Sequence, residues 1–245
     1  MGARSAPPFS WPLAAAAGNW HRSGMEQQQK IAIVTGASRG LGAAMAEALG
    51  MRGFHIVAVA RTVGALEELD DRIRAGGGSA TLAPMDITLP EAMIQLVQAV
   101  TGRWGGCDLW VHAAIHAAQL SPAAQIDPRD MERSIAVNVA ATHGLTVLIE
   151  PLLRARHGTA LFLDDPRGGQ PFFGAYGATK AAQIAFARSW QAETQRIGPR
   201  VIIDAPAPMP TATRARFFPG EDRSRLTPCR DEAARILASL SDLGG

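Results

Sequence analysis

A single α/β domain built on a doubly wound parallel sheet is the fold class this sequence predicts, and three observations carry it. Short apolar runs recur along the chain at the length of strands buried on both faces. Segments with helical periodicity separate them, and such alternation implies parallel strands joined by right-handed crossovers. Between the first apolar run and the first helical segment stands Thr35-Gly-Ala-Ser-Arg-Gly-Leu-Gly42, a glycine-rich turn. At 245 residues, 47% hydrophobic and 19% charged, the chain has the size and composition for one core of this kind.

Each element has its own warrant. Ile31 to Val34 is continuously apolar, and Ala43 to Met51 is rich in Ala, Leu, Met and Glu, as a helix requires. Glycines in the turn between them allow a tight bend and close approach of a ligand to the backbone. A strand feeding such a turn into a helix N-terminus is an anion site, because free N–H groups and the helix dipole both point at the ligand. His55 to Ala60 makes a second buried strand, and Thr62 to Arg74 places Leu66, Leu69 and Ile73 on one helical face. Gly76 to Gly78 stops that helix, and Ser79 to Met85 reads as the third strand. A helix from Pro90 to about Arg103 follows, with proline at its first position. Cys107 to Ala113 is the fourth strand, Arg129 to Arg156 a long helical region, and Thr159 to Leu163 the fifth strand. Gly174 to Ile197 is helical, Arg200 to Asp204 is the sixth strand, and Pro228 to Leu240 is the last helix. Ligands of such sheets bind beyond the carboxyl ends of the strands.

Other classes of function find little support. A net charge of +2 is too small to imply nucleic-acid or membrane partners, and no apolar run approaches the length of a transmembrane helix. Cys107 and Cys229 lie far apart, with no metal or redox spacing, and read as reduced thiols of a cytoplasmic protein without a metal site. Residues 1–28 read as a disordered extension to a domain spanning 29–245. Met1 to Gly24 has Arg4 and Arg22 with no acid, which hints at a targeting peptide, but Pro12 interrupts its apolar part.

The sharpest chemical signal is Tyr176-Gly-Ala-Thr-Lys180. Tyr176 is the only tyrosine, Lys180 is one of two lysines, and four residues of helix put them on one face. A phenol with a pKa near 10 is a poor acid or base at neutral pH, and a neighbouring ammonium favours its phenolate.

On these residues the chain from about Lys30 to Leu240 resembles a classical short-chain dehydrogenase/reductase, a single-domain Rossmann-type fold. The glycine turn, Asp86 after the third strand, Asn138 in the fourth helix, and Tyr176 with Lys180 all fall in family order. The resemblance implies that Tyr176 is the catalytic acid/base. It implies that Lys180 binds the nicotinamide ribose and lowers the tyrosine pKa, and that Asn138 holds a water in the proton relay. Gly36, Ser38, Arg39, Gly40, Leu41 and Gly42 would cradle the cofactor phosphates. Asp86 and Ile87 would border the adenine, and Ala113 would line the same site. Pro206-Ala-Pro-Met209-Pro-Thr211 is similar to the family segment beside the nicotinamide, with Thr211 at the matching threonine.

Four features depart from the family. A serine or threonine is expected about a dozen residues before the tyrosine, where this chain has Leu163-Asp-Asp165-Pro. An ionised Asp165 cannot donate to a substrate carbonyl and raises the phenol pKa, whereas a protonated Asp164 or Asp165 could donate instead. The sequence favours a charge-damaged site over a protonated donor. The family's N-N-A-G is His112-Ala113-Ala114-Ile115, with His116 close by, and its P-G glycine is Ala207. The usual last strand has no counterpart, leaving six.

The expected function is an NADP(H)-dependent oxidoreductase acting on a small carbonyl or alcohol. The alternative is a catalytically impaired NADP(H)-binding sensor or partner subunit. NADP(H) is expected over NAD(H) because Ala60 stands where NAD enzymes place an acid, with Arg61 and Arg39 ready for a 2′-phosphate and no acid nearby to repel it. The resemblance implies a homodimer paired through the two long helices, where the small residues Ala136, Ala140, Ala181 and Ala185 permit close approach, and Thr211 to Glu221 is a candidate lid over the substrate.

Overall fold

The alternation of apolar residues within the strands assigns each side chain to one of two cores. A computed structural model of the protein describes residues 29–240, so the extension expected over residues 1–28 lies outside the described residues. Strands Ile31–Thr35 (β1), His55–Ala60 (β2), Ser79–Pro84 (β3), Leu109–His112 (β4), Thr159–Leu163 (β5) and Arg200–Asp204 (β6) form one parallel sheet in the order β3-β2-β1-β4-β5-β6. Helices Gly40–Met51 (α1), Val63–Ala75 (α2), Pro90–Trp104 (α3), Pro128–Ile135 (α4), Ala141–Arg154 (α5), Gly174–Thr194 (α6), Ala212–Phe217 (α7) and Cys229–Ser239 (α8) accompany it. Ala32, Val34, Leu109, Val111 and Leu161 join the core under α1, α2 and α8. Ile31, Ile33, Trp110, Ala160 and Phe162 point the other way, into the core under α3, α5 and α6. This is the expected single-domain, doubly wound Rossmann-type sheet of six strands.

Local differences from the sequence reading have physical causes. The fourth strand is shorter than Cys107 to Ala113 because the Cys107 N–H leaves the ladder for the Leu152 carbonyl (3.1 Å), and the Asp108 carboxylate turns to accept the Ile31 N–H (2.6 Å). The long helix begins on the cap of Asp127, which accepts from the Arg129 N–H at 2.8 Å, but it is not uniform. Ala136–Ala140 forms a wider π turn, with the Ala141 N–H reaching the Ala136 carbonyl, so nearby carbonyls are freed for other partners. The run Pro128–Arg154 is also long and apolar enough by composition to cross a membrane, contrary to expectation. Its Leu145, Ile149, Leu152 and Leu153 nevertheless pack into the sheet core. Finally, α7 forms inside the expected lid, started by Thr211, whose hydroxyl accepts from the Arg214 N–H at 3.1 Å.

Candidate active site

Strand order reverses between β1 and β4, and a cleft of about 300 Å³ opens there beyond the carboxyl ends of the strands. It runs from the glycine turn past Arg61, Asp86, Ile87 and Ala113 to Tyr176, Lys180 and the loop with Pro206, Met209 and Thr211. Every cofactor-contacting residue anticipated above lines it, as does Asp165; Asn138 does not. The turn is tight by construction. Gly36 has φ +85°, and a Cβ there would lie 2.5 Å from the Ala114 nitrogen. A Cβ on Gly42 would meet the Gly36 carbonyl oxygen at 2.3 Å. Gly36 and Ala37 both donate to the Val59 carbonyl, which ties the turn to β2. Arg39 and Arg61 are exposed at the rim, and Asp86 stands 4.0 Å from the Arg61 guanidinium. An acid is therefore close to Arg61, which sequence reasoning did not foresee. The Asp86 carboxyl lies below its ordinary range; burial opposes this, and the hydrogen bonds from Thr88 together with Arg61 and Arg133 overcome it.

At the other end the tyrosine is held in an arrangement unlike the expected one. Tyr176 is 4% exposed and its hydroxyl donates to Asp165 Oδ2 at 3.0 Å. Asp165 Oδ1 accepts from Arg167 Nε at 2.9 Å. Burial, followed by the charge and hydrogen bond of Asp165, pushes the phenol well above its ordinary range, and Arg167 opposes this only in part. The phenol is thus raised, as expected of a charged Asp165 beside it, and the lowering expected from Lys180 does not prevail. Lys180, 5% exposed, instead points its ammonium at Gln183 Oε1 (2.7 Å). Burial brings the Lys180 amine down to about 8, against the pull of Asp164 and Asp165. Asp164 turns aside: its N–H donates to the Asp204 carbonyl and its carboxylate faces Arg188 at 3.8 Å.

The Lys180 shift carries a stability prediction. In the folded chain the amine loses its proton near pH 8, and in the unfolded chain only near 10.5, so between these values the unfolded chain binds more protons. The group's contribution is fully present above 10.5 and is lost as pH falls through about 8. Lys180→Met should raise unfolding free energy at neutral pH by about 1–3 kcal/mol, less whatever stranding Gln183 costs. Denaturant unfolding of both proteins at neutral and alkaline pH checks this, with the difference shrinking at alkaline pH.

Asn138 is committed to structure. Its Oδ1 accepts the His116 N–H (2.7 Å), and its Nδ2 donates to the His116 carbonyl and Thr179 Oγ1, both at 3.0 Å. The Asn138 main-chain carbonyl, exposed by the π turn, accepts from Gln183 Nε2 at 3.1 Å and Thr142 Oγ1 at 2.9 Å. Gln183 therefore links Lys180 to Asn138 where a water was expected. The sequence held a signal for Gln183, since it follows Lys180 by three residues of helix; Arg167, in an irregular loop, had none. His112 is a packing residue, with ring nitrogens on Thr35 Oγ1 (2.8 Å) and Thr142 Oγ1 (3.0 Å), and burial, then Lys180, drives it down to about 3.

The mouth of the cleft is aromatic. The Phe217 ring lies tilted against Tyr176 with centroids 4.9 Å apart, and Phe173 and Phe218 close around them. Arg214 is tied to Glu221 by two bonds of 2.5 Å and lies over the Phe218 ring. The loop at Ala207 is clamped from behind: buried Glu232 accepts the Ala207 N–H at 2.9 Å, and Arg235 ties Glu232 to Asp204.

Known proteins resemble this chain in sequence and fold. The short chain dehydrogenase family model matches residues 30–222. An uncharacterized oxidoreductase of Mycobacterium tuberculosis is 30% identical over 190 residues, which cover 76% of this chain and 71% of that one. One from Mycobacterium bovis is 31% identical over 221 residues, 85% of this chain but 62% of that protein. Among solved structures, a short chain dehydrogenase from Salmonella enterica superposes with a TM-score of 0.80 at 26% identity, covering 86% of this chain and 89% of that one. A metagenomic short-chain oxidoreductase in complex with NADP gives 0.74 at 28% identity, covering 86% and 90%. Since the match takes in both the glycine turn and the Tyr176 helix, this chain belongs to the short-chain dehydrogenase family of oxidoreductases.

Proposed function

We propose that this chain is an NADP(H)-dependent oxidoreductase that interconverts a small carbonyl and its alcohol. The observation that carries the reading is one continuous cleft with two guanidiniums at one end and a buried Tyr176 at the other. Two guanidiniums suit a 2′-phosphate, and the relative solved with NADP supports the same choice. The residues fit a dinucleotide: the glycine turn leaves room for a pyrophosphate against backbone at the N-terminus of α1, and Asp86 and Ile87 offer an adenine wall. A bound nicotinamide would supply the hydride donor or acceptor. Tyr176 would exchange the proton with the substrate oxygen, and Lys180 would bind the nicotinamide ribose. The aromatic mouth favours a substrate with an apolar body, because Arg214 is already committed to Glu221. Incubating the protein with NADPH and a panel of aryl and alkyl aldehydes and ketones tests this. Cofactor oxidation on at least one member is expected, and tight cofactor binding without any turnover would instead favour the impaired-sensor alternative.

The reading includes a domain over residues 29–245, a cytoplasmic setting consistent with the free thiols Cys107 and Cys229, and a homodimer. Ala140, Ala181 and Ala185 face outward, beside exposed Ile135 and Val147, on the adjoining α4–α5 and α6 surfaces. Light scattering at micromolar concentration should give twice the chain mass, and Val147→Arg should halve it; a tetramer would contradict this part.

A further inference from the structure

We propose that protons reach and leave the site through Asp165, with Tyr176 and Asp165 working as a relay pair. The proposal rests on the oxidoreductase reading above. A phenol has a single proton, and in this structure it is directed to Asp165 Oδ2. Tyr176 is buried, whereas the Asp165 side chain is 33% exposed, so the carboxylate joins the hydroxyl to solvent. Elsewhere on α6 the Lys180 ammonium is held by Gln183, and the Gln183 amide is held in turn by the Asn138 carbonyl and Thr142. A primary amide does not exchange protons as a carboxyl does. Arg167 fixes the other oxygen of Asp165 and keeps Oδ2 aimed at the tyrosine.

The proton step balances for alcohol oxidation. The substrate hydroxyl gives its proton to Tyr176 Oη as the Tyr176 proton passes to Asp165 Oδ2. The phenol ends neutral, the carboxylate ends as a carboxylic acid, and that acid releases its proton to water at the rim. Carbonyl reduction runs the same relay backwards and needs Asp165 protonated first, because a phenol donating to a carboxylate has no proton left for a substrate. Asp165 is therefore a positioning and relay residue acting through Tyr176. Groups that bear on Asp165 are Asp164 and Arg167 in its own loop, Tyr176 and Lys180 on α6, and Arg214 on α7.

The sole tyrosine makes a direct test available. Tyrosine labelled with ¹³C at its ζ carbon gives one resonance, which reports the hydrogen bond of Tyr176 with or without cofactor. In the wild type it should move as the solution is acidified. It should lie flat in Asp165→Asn and keep its movement in Asp164→Asn. A flat wild-type resonance, or the same movement in Asp165→Asn, overturns the relay. On any substrate the wild type accepts, Asp165→Asn and Asp165→Ala should each lose about 10²-fold or more in kcat with NADPH binding unchanged, and formate should partly restore turnover in Asp165→Ala, where the side chain leaves room for it. Undiminished turnover, or a loss that formate does not touch, also overturns it. A wild type that turns over nothing speaks against the oxidoreductase reading, and the resonance still decides the relay.

Discussion

Tyr176→Phe should lower kcat by about 10²–10⁴-fold while NADPH affinity changes by no more than a few-fold, the cost of removing a general acid/base from a site that otherwise stays assembled. Assembly should survive because the ring, not the hydroxyl, makes the contact with Phe217 at 4.9 Å. Asp165 keeps Arg167 when the phenol is gone, so no unpaired buried charge is created. Steady-state turnover with a substrate from the panel, beside a fluorescence titration of NADPH, separates the two effects. Retained turnover in the Phe variant would remove Tyr176 from the chemistry.

The second large effect concerns the glycine turn. Gly36→Ala should destabilise the fold by about 2–5 kcal/mol, combining the cost of a left-handed backbone with overpacking against atoms that cannot yield. The φ of +85° is one part, and the other is a Cβ only 2.5 Å from the Ala114 nitrogen and 2.7 Å from the Ala113 carbonyl carbon. Gly53 isolates the two parts, because it has φ +83° with nothing within 4 Å of its would-be Cβ. Gly53→Ala should cost only about 1–2 kcal/mol. Denaturant midpoints for the two variants check the contrast, and NADPH binding should be lost in Gly36→Ala alone. Equal destabilisation would mean that the close approach to the segment after β4 contributes nothing.

The sheet was legible in the sequence because its strands are buried on both faces, and continuous apolar runs such as Ile31 to Val34 have few other uses. Strands His55–Ala60, Thr159–Leu163 and Arg200–Asp204 fall where the sequence puts them. The π turn at Ala136–Ala140 was not legible, since a widened turn keeps helical periodicity on either side and leaves no mark in composition. The cleft lining was readable through the family resemblance, whose cofactor residues all line it. What the motifs could not give was where each polar group points. Lys180 was expected to act on Tyr176 and instead meets Gln183, because a long flexible stem reaches several partners from one helical position. Asp165, expected beside the phenol, does meet it; its second partner Arg167 depends on a loop conformation that no periodicity encodes.

The central claim is most directly tested by titrating the wild-type protein with NADPH and NADH side by side, following nicotinamide fluorescence. Arg39 and Arg61 both stand at the rim where a 2′-phosphate would lie, and a charge-assisted contact is worth about 1.5–3 kcal/mol. NADPH should therefore bind at least about tenfold more tightly than NADH. The gap should close in the double variant Arg39→Ala, Arg61→Ala, leaving NADH binding largely as it was. NADH binding equal to or tighter than NADPH in the wild type would contradict the account.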